Sequence, residues 1–169
     1  MGEATHVYTA PHVTDGEAIP AEVVRYLDGT DLLTKTQALR LSTVDEHGWP
    51  HAALLSAGDT LALPPSRIRL MVFVESTTTA NLMRDDRLTM SLVLDGGMCE
   101  LRLRARRLER ASDDMPLALF EATPEVTRFH RAPYADVTGG VTFALHDPQS
   151  VLARWQRQIA AMRDDVSTE

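Results

Sequence analysis

Residues 98–110 read MCELRLRARRLER, and from Cys99 to Arg106 apolar and polar side chains alternate without a break. Cys99, Leu101, Leu103 and Ala105 fall on one side, and Glu100, Arg102, Arg104 and Arg106 on the other. A helix of this sequence would scatter its arginines around the whole cylinder, whereas an extended chain sorts the two sets cleanly onto two faces. The segment is therefore a strand with one face turned to a core. The same period recurs upstream. In RIRLMVFV (67–74), Ile68, Leu70, Val72 and Val74 share a face, while the other face passes from Arg67 and Arg69 to Met71 and Phe73. That strand is buried on both sides toward its end.

Turn signals between the apolar runs divide the chain into hairpins. ALRLSTVD (38–45) and HAALLSAG (51–58) flank a turn with Gly48 and Pro50, and RLTMSLVL (87–94) meets the long strand through DGG (95–97). TLAL is a short apolar piece leading into the turn PPSR, and VTFALH (141–146) reads as a closing strand. Helices are expected over AEVVRYLDG, over TTANLMRDD behind a Ser76 cap, over DDMPLALFEATPEVTRFH (113–130) with a break near Pro124, and over PQSVLARWQRQIAAMR. In the last of these, Val151, Leu152, Trp155, Ile159 and Met162 form one stripe behind an Asp147–Pro148 start. Residues 1–20 read as a loose arm, and 21–169 as a single domain. The fold class is mainly β with α additions: a six-stranded antiparallel barrel with peripheral helices, closed so that no sheet edge is left bare. An open α+β sandwich is the alternative.

Composition excludes several functions. A formal net charge of −7 argues against a general nucleic-acid binder, which carries a basic face. No apolar run reaches the roughly 20 residues that a spanning helix needs, and the first residues lack the pattern of a signal peptide. With Cys99 as the single cysteine, a reducing, cytoplasmic home is expected. His6, His12, His47, His51, His130 and His146 are scattered, so no metal site is indicated. Neither GxGxxG nor GxxxxGK[ST] occurs, and no GxSxG surrounds a serine.

Two stretches remain that could bind a ligand. In VESTTTANLMRDDR, four hydroxyl residues, Ser76, Thr77, Thr78 and Thr79, stand where a strand hands over to a helix. They form either an N-cap with solvated threonines or a cradle for an anion, with Asn81 contributing its amide. The row Arg102, Arg104, Arg106 repeats at about 6.6 Å per step. It is either a solvated face or a planar recognition surface for phosphate or carboxylate. Asp59 and Glu75 read as solvated turn carboxylates. Trp49 lies in a turn and Trp155 in the last helix's stripe, where packing or an oligomer contact is the default role.

The order ALRLSTVDEHGWPHAALLS, RIRLMVFVESTTTANLMRDDRLTMSLVLDGG and CELRLRARRLE resembles the FMN-binding split-barrel family related to pyridoxamine 5′-phosphate oxidase, over roughly residues 37–110 and more weakly over 138–157. The resemblance implies a six-stranded split barrel, a homodimer, and FMN at the subunit interface, with a related deazaflavin as the alternative cofactor. It would place Ser76, Thr77, Thr78, Thr79 and Asn81 around the FMN phosphate. Ser56, Phe73 and Val74 would lie along the ring and ribityl chain, and Arg102 would match a family arginine. The chain departs from the family in its phosphate loop: where many members carry Lys or Arg, it has Thr77 and Ala80. Arg102 or Arg104 would have to supply that charge. The implied function is an FMN-dependent oxidoreductase acting on a small organic substrate. A non-catalytic flavin-binding module and a cofactor-free dimeric scaffold are the alternatives.

Overall fold

A computed structural model describes residues 8–15, 18–109 and 114–164. The chain runs β1 (His12–Asp15), α1 (Ala21–Tyr26), β2 (Leu39–Val44), β3 (Pro50–Leu55), β4 (Thr60–Leu63), β5 (Arg67–Phe73), α2 (Thr77–Arg84), β6 (Arg87–Leu94), β7 (Gly97–Leu108), β8 (Leu117–His130) and α3 (Pro148–Arg163). All eight strands belong to one antiparallel sheet, ordered β3-β2-β6-β7-β8-β5-β4, with β1 paired to β8.

This order dictates the shape. β3 and β4 are at opposite ends of a seven-strand path, yet only residues 56–59 join them. A flat sheet would hold its end strands about 29 Å apart at about 4.8 Å per strand. Five Cα steps span at most about 18 Å. The sheet must therefore curl until its edges approach. Among the described residues no ladder joins β3 to β4, so the expected closed six-stranded barrel is instead a half-barrel built from an eight-stranded sheet with an open seam there. Phe120, Leu39, Leu41, Leu70, Met90, Leu101 and Leu103 fill the inside and are fully buried. Cys99 lies in the same core, where burial pushes its thiol up to about 11, so it carries no thiolate at neutral pH.

The hairpin expected at DGG is present. Leu94 pairs with Gly97, and the two turn residues, Asp95 and Gly96, have φ of 49° and 75°. A two-residue turn with both φ positive matches the twist of the flanking strands.

Several expectations are corrected. The stretch 113–130 is not a helix but, from Leu117 on, the 14-residue strand β8, paired with β7 on one side and β5 on the other. Asp113 lies outside the described residues. Ala118–Ala122 are buried on both faces, which erases the alternation that marks a strand. Pro124 ends no helix. It sits at a bulge, where Arg102 pairs with Val126 and Leu103 with Pro124, leaving Glu125 as the extra residue. A residue without an N–H is tolerated there. VTFALH is not a strand: it makes a single bridge, Thr142 to Gln37, flanked by hydrogen bonds from Ala38 N to Val141 O and from Phe143 N to Thr36 O. TLAL is instead a full strand, β4. Within the expected loose arm, His12–Asp15 form β1, while residues 1–7, 16 and 17 lie outside the described set.

α3 closes over the seam. Asp147 caps it by accepting from Ser150 N, and Trp155, Ile159 and Met162 are buried, as the apolar stripe requires. At its far end Arg69, 3% exposed, donates to the carbonyls of Met162 and Asp164, both at 2.8 Å, and to Glu121 at 3.0 Å. Carbonyls at a helix C-terminus have no partners within the helix and attract a cation. No helix among the described residues is long and apolar enough to cross a membrane.

Candidate functional site

The seam holds a cavity of about 390 Å³. β3 contributes Ala53, Leu54 and Leu55, and β5 contributes Met71, Val72 and Phe73. The start of α2 adds Ser76 and Thr78, and α3 adds Arg154, Arg157 and Gln158. The lining thus combines an apolar set with hydroxyls, two guanidiniums and the carboxylates of Asp59 and Asp114.

The hydroxyl stretch divides by role. Ser76 is the cap: its Oγ accepts from Thr79 N at 3.1 Å and donates to Thr79 Oγ1 at 3.2 Å. Thr79 Oγ1 in turn donates to Phe73 O at 2.7 Å. Replacing Ser76 with alanine should therefore cost about 1 kcal/mol of stability in urea unfolding, and an unchanged midpoint would contradict the cap. Asn81 is buried, donating from Nδ2 to Thr43 Oγ1 at 2.9 Å and accepting from Arg84, so it ties α2 to β2. Thr77 is exposed. Thr78 lines the cavity, and its hydroxyl has no hydrogen-bond partner among the described residues. The backbone N–H groups of Thr77 and Thr78 likewise have no acceptor there.

Phe73 forms part of the cavity wall and is 59% exposed, and Val74, outside that lining, is also exposed, so the two-sided burial expected toward the end of this strand stops at Val72. Ser56 lines an adjoining cavity of about 270 Å³ with Trp155 and Phe143. The Ser56 hydroxyl donates to Asp59 Oδ2 at 2.6 Å, and Gln158 Nε2 donates to Asp59 Oδ1 at 2.9 Å. Asp59 is thus a half-buried bracket between the β3–β4 link and α3 rather than a solvated turn carboxylate. Trp49 is exposed in its turn, and Trp155 is buried against Gly58.

The arginine row lies outside this cavity. Arg102 donates to Glu100 at 3.1 Å, Arg104 to Glu125 at 2.5 Å and to Asp86 at 2.8 Å, and Arg106 to Glu121 at 2.7 Å. Within one chain these guanidiniums are half-exposed and matched to carboxylates of the same sheet face. The cations at the cavity are instead Arg154 and Arg157, which have no hydrogen-bond or ion-pair partner among the described residues. Their spacing, one helical turn apart around Trp155, is visible in the sequence, but the seam beneath them is not.

No family model matches the sequence. The uncharacterised protein YclD of Bacillus subtilis (strain 168) is 33% identical over 139 residues, covering 81% of this chain and 90% of that protein. The chain belongs to the YclD family. A solved structure of a candidate pyridoxamine 5′-phosphate oxidase from Lactobacillus delbrueckii superposes on this YclD-family chain with a TM-score of 0.53 at 15% identity, covering 70% of this chain and 98% of that one. The YclD-family member therefore has the split-barrel fold of proteins related to that oxidase. An F420 reductase superposes with a TM-score of 0.45 at 13% identity, over 55% of this chain and 90% of its own.

Proposed function

We propose that the seam cavity binds flavin mononucleotide and that the protein is an oxidoreductase for a small organic substrate, working as a two-fold dimer. The observation that carries this reading is that one cavity joins an apolar wall to Arg154 and Arg157, two guanidiniums without a partner among the described residues; of the two carboxylates in its lining, Asp59 and Asp114, the first is already engaged by Ser56 and Gln158. A flavin needs both, since its ring is planar and apolar while its phosphate carries nearly two charges. The volume lies within the range of about 300–1,000 Å³ usual for small-molecule sites.

The residues present fit the group. Ala53, Leu55, Met71 and Phe73 offer the ring a dry surface. The Thr78 hydroxyl and the Arg154 and Arg157 guanidiniums line the same cavity and would hold the phosphate, with the first N–H groups of α2 beside Thr78, since a helix start favours an anion. Arg154 and Arg157 thus take the place of the loop cations that the sequence lacks at Thr77 and Ala80. Arg102 and Arg104 reach a flavin only if a second copy presents them. The half-exposed apolar side chains of Leu54 and Phe73 at the rim favour such a partner. When bound, the flavin supplies the electron transfer. The chain's own work is to hold phosphate and ring and to keep water from the inner face of the slot.

Titration of the purified chain with FMN and with riboflavin tests this. FMN should bind saturably and more tightly than riboflavin. Arg154→Gln should weaken FMN about tenfold, equivalent to about 1.4 kcal/mol, with riboflavin unchanged. Equal losses for both ligands, or no saturable FMN binding, would sink the reading. Light scattering should give twice the chain mass. Reduction of the loaded protein by a nicotinamide donor and reoxidation by an acceptor would separate an enzyme from a carrier.

A further inference from the structure

A second cavity, of about 860 Å³, opens on the outer face of β2, β6, β7 and β8 and shares no lining residue with the seam cavity. The ladder aligns one row of side chains across this face. Arg40 pairs with Ser91, Ser91 with Glu100, and Glu100 with Arg128. All four belong to the face opposite the core residues Leu41, Met90 and Leu101. Two guanidiniums therefore flank a serine and a glutamate on a patch about three strand spacings wide, or about 14 Å. Arg131 joins them from the end of β8, stacked over Phe129 at 4.9 Å.

The charges on this face do not balance. Among the described residues three arginines line the cavity, and no Asp or Glu does. Glu100, which stands in the row between Ser91 and Arg128, is already shared by Arg102 at 3.1 Å, His130 at 3.1 Å and Arg128 at 3.8 Å. Arg40 has no hydrogen-bond or ion-pair partner among the described residues. Arg128 Nε is buried from solvent and has none either. A buried guanidinium N–H without an acceptor is costly, and in a chain of net charge −7 carboxylates were plentiful. Beside Ser91, His130 and Thr9, the wall carries an apolar set, Val93, Met98, Val137 and Val141, with Gln37 held by Val93 through hydrogen bonds of 2.9 and 2.6 Å.

We propose that this cavity is a binding site for a small amphipathic anion, an apolar body with a carboxylate or phosphate head held by Arg40 and Arg128. Guanidiniums set in a fixed sheet register suit a planar or tetrahedral oxyanion. The valines and Met98 receive the body. The site stands apart from the flavin reading, because it uses other residues and its test needs no flavin.

The test is calorimetric titration of the full chain with n-octyl phosphate, n-octanoate and n-octanol, which share a body and differ in the head. Both anions should bind saturably, and octanol at least about tenfold more weakly. The tighter of the two anions identifies the head. Arg40→Gln should weaken the anions about tenfold or more and leave octanol unchanged, and Arg128→Gln should do the same. Arg107→Gln, an exposed arginine elsewhere on β7, should change nothing. Because Arg40 holds no partner, its variant should melt as the parent does, so lost binding cannot be charged to unfolding. Absence of saturable anion binding in the parent would overturn the proposal. So would equal losses for anions and octanol in the variants, or variants that change the mass in light scattering while anion affinity stays constant. The last result would assign the face to a second copy of the chain.

Discussion

Replacing Arg69 with methionine is expected to cost about 3–5 kcal/mol of unfolding free energy, the largest effect of any single polar substitution in the molecule. Methionine restores the volume, so the loss isolates the guanidinium. Two carbonyls at the end of α3, those of Met162 and Asp164, would lose their donor, and Glu121 would lose the most buried of its three arginines. Arg69→Lys should rescue little, since one ammonium cannot reach three acceptors in the plane that the guanidinium spans. The effect should also depend on pH. Burial alone would raise the Glu121 carboxyl, but hydrogen bonds and charge from Arg69 and Arg106 outweigh it and hold the group below its usual 4.5. A carboxyl lowered in the folded state adds stability that is fully present above the unfolded value and is lost as pH falls through the folded one. The parent should therefore lose this stabilisation below about pH 4.5, and the gap between parent and Arg69→Met should narrow there. Urea unfolding at pH 7 and at pH 3.5 measures both. A gap that stays constant with pH would detach Glu121 from the effect.

The second large effect is expected at Gly58. A Cβ placed there would lie 2.0 Å from Trp155 Cγ and 2.3 Å from Cδ1 and Cδ2. No real contact is that short, and the ring is only 2% exposed, so it has nowhere to swing. Gly58→Ala should thus push α3 off the β3–β4 link, at the upper end of the roughly 1–3 kcal/mol usual for overpacking. FMN binding in the seam should weaken with it, because Arg154, Arg157 and Gln158 ride on the same helix. The double variant Gly58→Ala, Trp155→Leu should recover part of the loss. If the single variant unfolds at the parent's urea midpoint, the close packing of helix on link is not what holds α3 in place.

How much of this was legible in the sequence depended on whether a residue's partner is near in the chain. The β6–β7 hairpin was legible because Asp95–Gly96 sets its own turn and Cys99–Arg106 alternates. The Ser76 cap was legible for the same local reason. β8 was not, because burial on both faces from Ala118 to Ala122 hides the period and Pro124 imitates a stop. VTFALH has the composition of a strand, yet only Thr142 finds a bridge, and composition cannot count partners. At the site the residue types could be read but not their duties. Asn81 and Thr79 carry the amide and hydroxyl that a phosphate would use, but Thr43 and the Phe73 carbonyl already engage them. Arg154 and Arg157 stand in plain view in the sequence, and only the sheet order shows that they hang over a seam.

That sheet order bears on how the molecule is made. β6, β7 and β8 follow one another as a meander, so their pairing closes short loops and can form early. β2 must find β6 across 42 residues of intervening chain, and β5 must find β8 across 43. The residues around the seam belong to these late partners and to the last helix of the described chain. No partly folded intermediate that lacks them can hold a ligand there. Anything that binds in the seam therefore selects chains that have completed the whole topology, and by mass action draws the population toward them.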